Sequence, residues 1–244
     1  ALEYMGLRSQ GVYQRELAAS NNFILSSRFN SKNNRYRFFT HYIHQNVNNE
    51  ENGGIEDLSL FLGDDTRFNN RQNLAVNLTS TDSRFSYRRY YFSQEFQFVN
   101  SEKYPFKVRH TIFHQANKYW YKQQGSESFY NSDVVEDFGT SAYKFSKNLS
   151  NTFTLLFDKP TFKLEAGVRH QMINLGTDKE LPAIVGINIP LDNKEHRFGA
   201  VGNLEIKLWG KVDLKSNLEY SNGSTFGNFL RSENNLKLEP IKDY

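Results

Sequence analysis

Hydrophobic and polar residues alternate along much of the chain with a period of two, the repeat that sends successive side chains to opposite faces of a β-strand. From Phe162 to Met172 the even positions read Phe, Leu, Ala, Val, His and Met, while Lys163, Glu165, Gly167, Arg169 and Gln171 fill the odd ones. Val212, Leu214, Ser216, Leu218 and Tyr220 alternate in the same way with Asp213, Lys215, Asn217 and Glu219, and within 196–208 Leu204, Ile206 and Leu208 flank Glu205 and Lys207. Further strands are expected at about 3–13, 22–31, 35–46, 86–99, 105–121, 151–158 and 228–239, which makes roughly ten. Most reach the length of about nine to eleven residues that a tilted strand needs to cross a bilayer, longer than strands of soluble proteins.

The connections carry a second alternation. Ser31-Lys-Asn-Asn34, the segment near 100–104, Asp158-Lys-Pro160 and Trp209-Gly210 are tight, turn-rich links. Between them fall longer connections at about 47–85, 122–150 and 174–194, with shorter ones near 14–21 and 222–227. In an outer-membrane barrel short turns face the periplasm and long loops face outside. The order therefore predicts extracellular loops at 47–85, 122–150 and 174–194 and a chain that starts and stops on the periplasmic side. Leu74, Val76 and Leu78 alternate inside the first loop; counting them as a spanning strand would break the order, so they are expected to form a loop strand against the rim or in the lumen.

Composition narrows the class. Aromatics make up 15% of the chain, with 21 Phe and 14 Tyr, yet the mean hydropathy is −0.70. A strand with one face toward hydrocarbon and the other toward water produces that combination. Lys and Arg number 30 against 27 Asp and Glu, a balance of +3 spread along the chain, which gives no nucleic-acid footprint. The most apolar windows, 153–157 and 181–191, are too short for a membrane helix, and the residues ALEYMGLRSQ at the start do not read as a signal peptide. The fold expected is all-β: an antiparallel up-and-down transmembrane β-barrel, a single domain over 1–244 whose ten or so strands form part of a larger barrel.

Four segments carry a family resemblance: Ser31-Lys-Asn-Asn-Arg-Tyr36, Asn49-Glu-Glu-Asn-Gly-Gly-Ile55, Arg71-Gln-Asn-Leu-Ala-Val-Asn-Leu78 and Arg89-Tyr-Tyr91. With them the chain resembles the putative porin family of Bacteroidota, well over about 20–100 and by pattern elsewhere. The resemblance implies a porin-like fold in the Gram-negative outer membrane but no transported solute. Members of that family are longer, so it also implies a chain incomplete at both ends. Glu239-Pro-Ile-Lys-Asp-Tyr244 fits that expectation, because Pro240 removes a ladder donor where a closing strand would continue.

Candidate chemistry is sparse. The absence of Cys removes thiolate ligands, Cys nucleophiles and disulfides. His110 and His114 lie about 13 Å apart on a strand rather than together, and on the apolar parity, a mismatch expected to mark a bulge or a covered wall. His41 and His44 have opposite parity, and neither an HExxH motif nor a nucleophile elbow occurs. Glu50, Glu51, Glu56, Asp57, Asp64 and Asp65 resemble a calcium cluster in composition without its spacing, and a solvated loop explains them better. No enzyme activity, catalytic residue, metal or cofactor is assigned. Tyr4, Tyr13, Tyr36, Tyr42, Tyr87, Tyr119, Trp120, Trp209 and Tyr220 tend toward strand ends, where amphipathic rings settle at headgroups.

The charges on the polar faces are the functional candidates: Arg89, Glu95, Lys107, Arg109, Lys163, Glu165, Arg169, Lys207, Lys211, Asp213, Lys215, Glu219, Arg231, Glu233 and Lys237, followed by Glu239. Burial in a dry core would cost several kcal/mol for each unpaired charge, a cost a water-filled lumen removes. They are expected to line a pore for passive diffusion of small hydrophilic solutes, with a basic excess that favours anions. The rival expectation is a non-conducting barrel within a larger outer-membrane complex for secretion, protein insertion or nutrient uptake. Expected partners are outer-membrane lipid, lipopolysaccharide and other outer-membrane proteins or lipoproteins, and no nucleic acid.

Overall fold

A computed structural model describes residues 1–99, 105–124, 141–177 and 192–239. The period-two segments become ten strands: β1 (Leu2–Ser9), β2 (Ala18–Asn30), β3 (Tyr36–Glu51), β4 (Thr81–Gln97), β5 (Phe106–Gln123), β6 (Ser141–Asp158), β7 (Phe162–Thr177), β8 (Asp192–Leu208), β9 (Val212–Ser221) and β10 (Phe229–Leu238). They form one antiparallel sheet in sequence order, each strand paired with its predecessor and its successor. β1 and β10 are not paired with each other, so the sheet is an open wall rather than a closed ring.

Most strands run further toward the longer connections than alternation predicted. β3 continues to Glu51, β4 begins at Thr81, β6 begins at Ser141 and β7 ends at Thr177. In these extensions both faces are polar or mixed, as in Lys144 to Ser150, so the periodic contrast fades while the backbone ladder persists. β1 is shorter than expected and stops at Ser9, before positive-φ turns at Gly11 and Arg15. The inner parts of the two expected loops at 122–150 and 174–194, the expected turn at 100–104 and the segment 240–244 lie outside the described residues.

The short links are hairpin turns. Trp209 and Gly210 both have positive φ, at 53° and 66°, and the Lys211 amide donates to the Leu208 carbonyl at 3.0 Å. Two positive-φ residues match the right-handed strand twist. At 31–35, Asn34 takes a φ of 54° and the Asn33 side chain accepts from the Arg35 amide at 3.2 Å.

One face of the sheet is concave. A cavity of about 740 Å³ is bounded by residues of nine consecutive strands, β2 to β10, which a flat sheet could not provide. Two glycines on this face permit the curvature. An added Cβ at Gly167 would lie 2.0 Å from the Phe153 carbonyl oxygen, and one at Gly199 would lie 2.0 Å from that of Tyr220. Glycine positions of this kind bend sheets into barrels.

The apolar residues are distributed in reverse of a soluble protein. Among the described residues the buried apolar side chains are Leu74, Val76, Leu78 and Leu156, three of them in a loop. On the convex face Phe153, Leu155, Val168, Phe198 and Leu218 are all more than half exposed. Phe29, Tyr36 and Phe38 cluster at the short-turn end with ring centroids 5.5–6.3 Å apart, and Phe106, Phe157 and Phe162 form a second group there. Tyr36 and Trp209, two of the residues expected at strand ends, stand at this end, with phenylalanines around Tyr36. Tyr87 and Tyr119 share the parity of the concave residues, because each is in register with that face and not with the outer one.

Leu74, Val76 and Leu78 form no spanning strand. Val76 bridges Ile55, and the Asn77 and Leu78 amides donate to the Gly54 and Asn52 carbonyls at 3.0 and 2.8 Å. A short helix, α1 (Leu58–Leu62), and two 3₁₀ turns complete the 52–80 loop. Gln72 donates to the carbonyls of Val12 and Tyr13, both at 2.9 Å, which fastens the loop to the β1–β2 connection at the rim.

Candidate pore-lining face

Strand register gathers the predicted charges on one side. Arg37, Glu95, Arg109, Thr154, Gly167, Val201, Glu219 and Arg231 face one another in succession from β3 to β10. Glu95, Arg109, Glu165, Arg169, Glu219, Arg231 and Glu233 border the main cavity. Arg89 shares their parity further along β4 and donates to Gln115 at 3.2 Å. Lys107, Lys163, Lys207, Asp213, Lys215 and Lys237 occupy the same parity toward the short turns, and Lys211 sits in the turn before β9. All fifteen positions therefore fall on the concave side or its border.

The central charges are paired into a lattice. The Arg109 guanidinium donates to Glu95 at 2.7 Å and to Glu165 at 2.8 Å, bridging β4 and β7 across its neighbour β6. Arg37 donates to the other oxygen of Glu95 at 2.6 Å, and Thr154 Oγ1 donates to Glu165 at 2.7 Å. Arg169 pairs with Glu219 and also donates to Thr152 at 3.2 Å. Gly167 leaves the space beneath this lattice free of a side chain. Five arginines and four glutamates border the main cavity, so the basic excess read from the sequence is nearly cancelled at its centre.

A similar small excess, in lysine rather than arginine, stands at the short-turn end. Lys207, Lys211 and Lys237 border a second cavity of about 210 Å³ with Asp213 and Glu239. Lys163 stands 3.9 Å from Asp158 and 3.8 Å from Glu205, whereas Lys107 donates to Asp158 at 2.7 Å.

Sequence reasoning missed two features. Arg37 was passed over because its face also carries Phe39, His41 and Ile43, which hides the polar periodicity. Glu195 and Arg197 form the most buried ion pair among the described residues, 3.7 Å apart, with side chains 1% and 7% exposed. Glu195 accepts from the Thr225 and Phe226 amides at 3.3 and 3.1 Å, and Arg197 donates to the Gly227 carbonyl at 2.8 Å. The β9–β10 connection consequently folds inward over the concave face. Opposite charges at i and i+2 were the available signal, but the pair straddles the start of the strand as alternation predicted it.

The histidines and loop acids find separate partners. Pairing of β4 with β5 is continuous through His110 and His114, with no bulge; His110 lies 3.3 Å from Gln94 and His114 stacks on Tyr90. His170 and His196 approach to 3.1 Å across β7 and β8 on the convex face. Among the described residues no set of three or more metal-ligating side chains gathers. Glu50 pairs with Arg15 at 3.0 Å, Glu51 accepts from Ser83, and Asp57 and Asp65 cap short helical turns. Hydrogen bonds from Ser59 hold the Asp57 carboxyl below the usual carboxylate range, and those from Arg67 do the same for Asp65.

An up-and-down antiparallel wall with a charged concave face and an apolar convex face defines a β-barrel of the porin type. Comparison with family models agrees: the model described as "Putative porin" matches residues 1–244, and the chain belongs to that family. Neither the curated proteins nor the solved structures gave a match.

Proposed function

We propose that the chain forms part of the wall of an outer-membrane channel through which small hydrophilic solutes diffuse passively. The observation that carries this reading is the inverted distribution of side chains: exposed leucine, valine and phenylalanine on the convex face, paired arginine and glutamate on the concave one. A contiguous apolar surface of this extent would aggregate in water but matches a lipid environment. The ten strands alternate in direction with short and long links, which supports short turns at the periplasm and the 52–80 loop outside. Unpaired edges at β1 and β10 support completion of the ring by additional strands, since an exposed edge in the bilayer leaves backbone groups unsatisfied.

Selectivity follows from the charge pattern. The paired lattice presents little net field, and the lysine-rich short-turn end gives a mild preference for anions. Single-channel recording of the native protein in planar bilayers tests the reading. Discrete conductance steps with a reversal potential favouring chloride over potassium are expected. A silent bilayer, together with stable co-purification of other outer-membrane proteins, would refute the channel and favour a structural subunit of a larger complex.

A further inference from the structure

The convex face carries a group of cations that nothing in the channel reading uses. At the long-loop ends of β4, β5 and β6 the register sets Ser86, Lys118 and Phe145 in one row, Arg88, Ala116 and Lys147 in the next, and Arg84, Trp120 and Tyr143 in the row beyond. Lys118 therefore lies between Arg84 and Arg88, with Lys147 one strand further on. At about 4.8 Å between strands and 3.4 Å per residue, the four cations share a patch roughly 10–14 Å across.

These cations differ from the paired ones of the concave face. Arg37, Arg109, Arg169 and Lys107 each have a carboxylate partner there. Among the described residues, Arg84, Arg88, Lys118 and Lys147 have none within 4 Å, and Arg84, Arg88 and Lys147 are exposed. Aromatic faces hold three of them: Arg84 lies 5.6 Å and Lys118 5.7 Å from the Trp120 ring, Lys118 is 5.5 Å from Tyr143, and Lys147 is 5.1 Å from Phe145. Arg88 donates to His44 at 3.3 Å. Cation–π contacts orient such side chains without neutralising them.

Below the patch, toward the short turns, the convex face becomes richer in apolar and aromatic residues, with Tyr42, Tyr90, Phe92, Ile112, Leu149 and Phe153, interrupted by His114, Asn151, Gln94 and His110. Four such cations in hydrocarbon would be costly, so under the proposed orientation this boundary falls at the headgroup level. We infer that Arg84, Arg88, Lys118 and Lys147 form a binding site for the phosphates of an outer-leaflet glycolipid whose acyl chains lie on the apolar band beneath. Guanidinium and ammonium groups match phosphate oxygens, and four cations on one patch can serve more than one phosphate. The inference rests on the membrane orientation proposed above.

The test compares binding of diphosphoryl lipid A, its dephosphorylated counterpart and inorganic phosphate to the native protein purified in detergent. Diphosphoryl lipid A should bind tightest, and Arg88→Gln combined with Lys118→Gln should weaken it on the order of tenfold or more, as expected for two cations at a charged surface. Lys215→Gln on the concave face should leave it unchanged, and Arg88→Lys should retain most of it. Equal affinity for the dephosphorylated lipid, an unaltered affinity in the double variant, or full competition by inorganic phosphate would each overturn the inference. Recovery in the membrane pellet after carbonate washing is measured in parallel. Loss from the pellet would overturn the membrane reading itself, whereas normal recovery with unchanged lipid affinity would overturn only the lipid site.

Discussion

Gly167 and Gly202 provide a sensitive comparison because they occupy neighbouring strands, one register step apart, on opposite faces. Glycine within a strand is less stable than alanine by about 0.5–1 kcal/mol through its backbone freedom, so substitution should help wherever a methyl group fits. At Gly202 it fits: the added Cβ would lie 3.9 Å from the Glu165 carbonyl oxygen, an ordinary contact. At Gly167 it would lie 2.0 Å from the Phe153 oxygen, 2.6 Å from Thr154 Cα and 2.7 Å from Thr154 Cγ2. Two of these are backbone atoms, so relief requires β6 and β7 to separate by about 1 Å at a paired position. Overpacking of this kind costs about 1–3 kcal/mol, and because the entropic gain comes from the unfolded chain and is common to both sites, the two variants should differ by about 1–3 kcal/mol. Urea unfolding of the native protein in phospholipid vesicles, followed by the fluorescence of its two tryptophans, would measure the difference. Gly167→Ala should lower the midpoint and Gly202→Ala should hold or raise it. Equal midpoints would show that the sheet does not bend at Gly167 and that the concave cavity has another origin.

Glu165→Gln leaves Arg109 with Glu95 alone, already shared with Arg37. One extra positive charge acting over roughly 8 Å of water is worth about 0.5 kcal/mol on each ion sign, so the anion-to-cation permeability ratio should rise roughly two- to fivefold, read as a shift in reversal potential. Leu218→Arg, on the convex face further into the wall, should lower folding stability in vesicles by about 2–4 kcal/mol, whereas Lys215→Gln should change selectivity only; equal stability losses would disprove the face assignment. Arg197→Ala leaves Glu195 buried beside the 222–228 connection without its cation. Loss of one partner from a buried pair costs about 3–5 kcal/mol, so limited proteolysis should cut this connection faster while sparing the strands. Asp57 and Asp65 have depressed pKa values in the folded loop, so their caps contribute above the ordinary carboxylate pKa and are lost as pH falls through the depressed values. The protection of the Ser59 and Arg67 amides, measured as exchange relative to the free-peptide rate at the same pH, should hold at neutral pH and fall only in strong acid; loss of protection near neutrality would contradict the caps.

Much of this protein is determined by local sequence. Strict alternation at 162–172 and 212–220 determines strands and their two faces, because a strand has one side-chain period and a slip of one residue would invert every position. Turn residues such as Trp209-Gly210 and Ser31 to Asn34 determine the reversals, and together these specify a ten-strand meander. The tertiary structure decided what periodicity cannot encode. Strand ends are extended by ladder hydrogen bonds that need no apolar contrast, as along β6 from Ser141 to Ser150. Charge pairing depends on which strand lies opposite: Arg109 meets Glu165 from two strands away, 56 positions along the chain. The near-neutral lattice at the centre, the lysines of the short-turn end and the cations around Trp120 on the convex face all arise from register between distant segments, which fixes the partners each charge can reach.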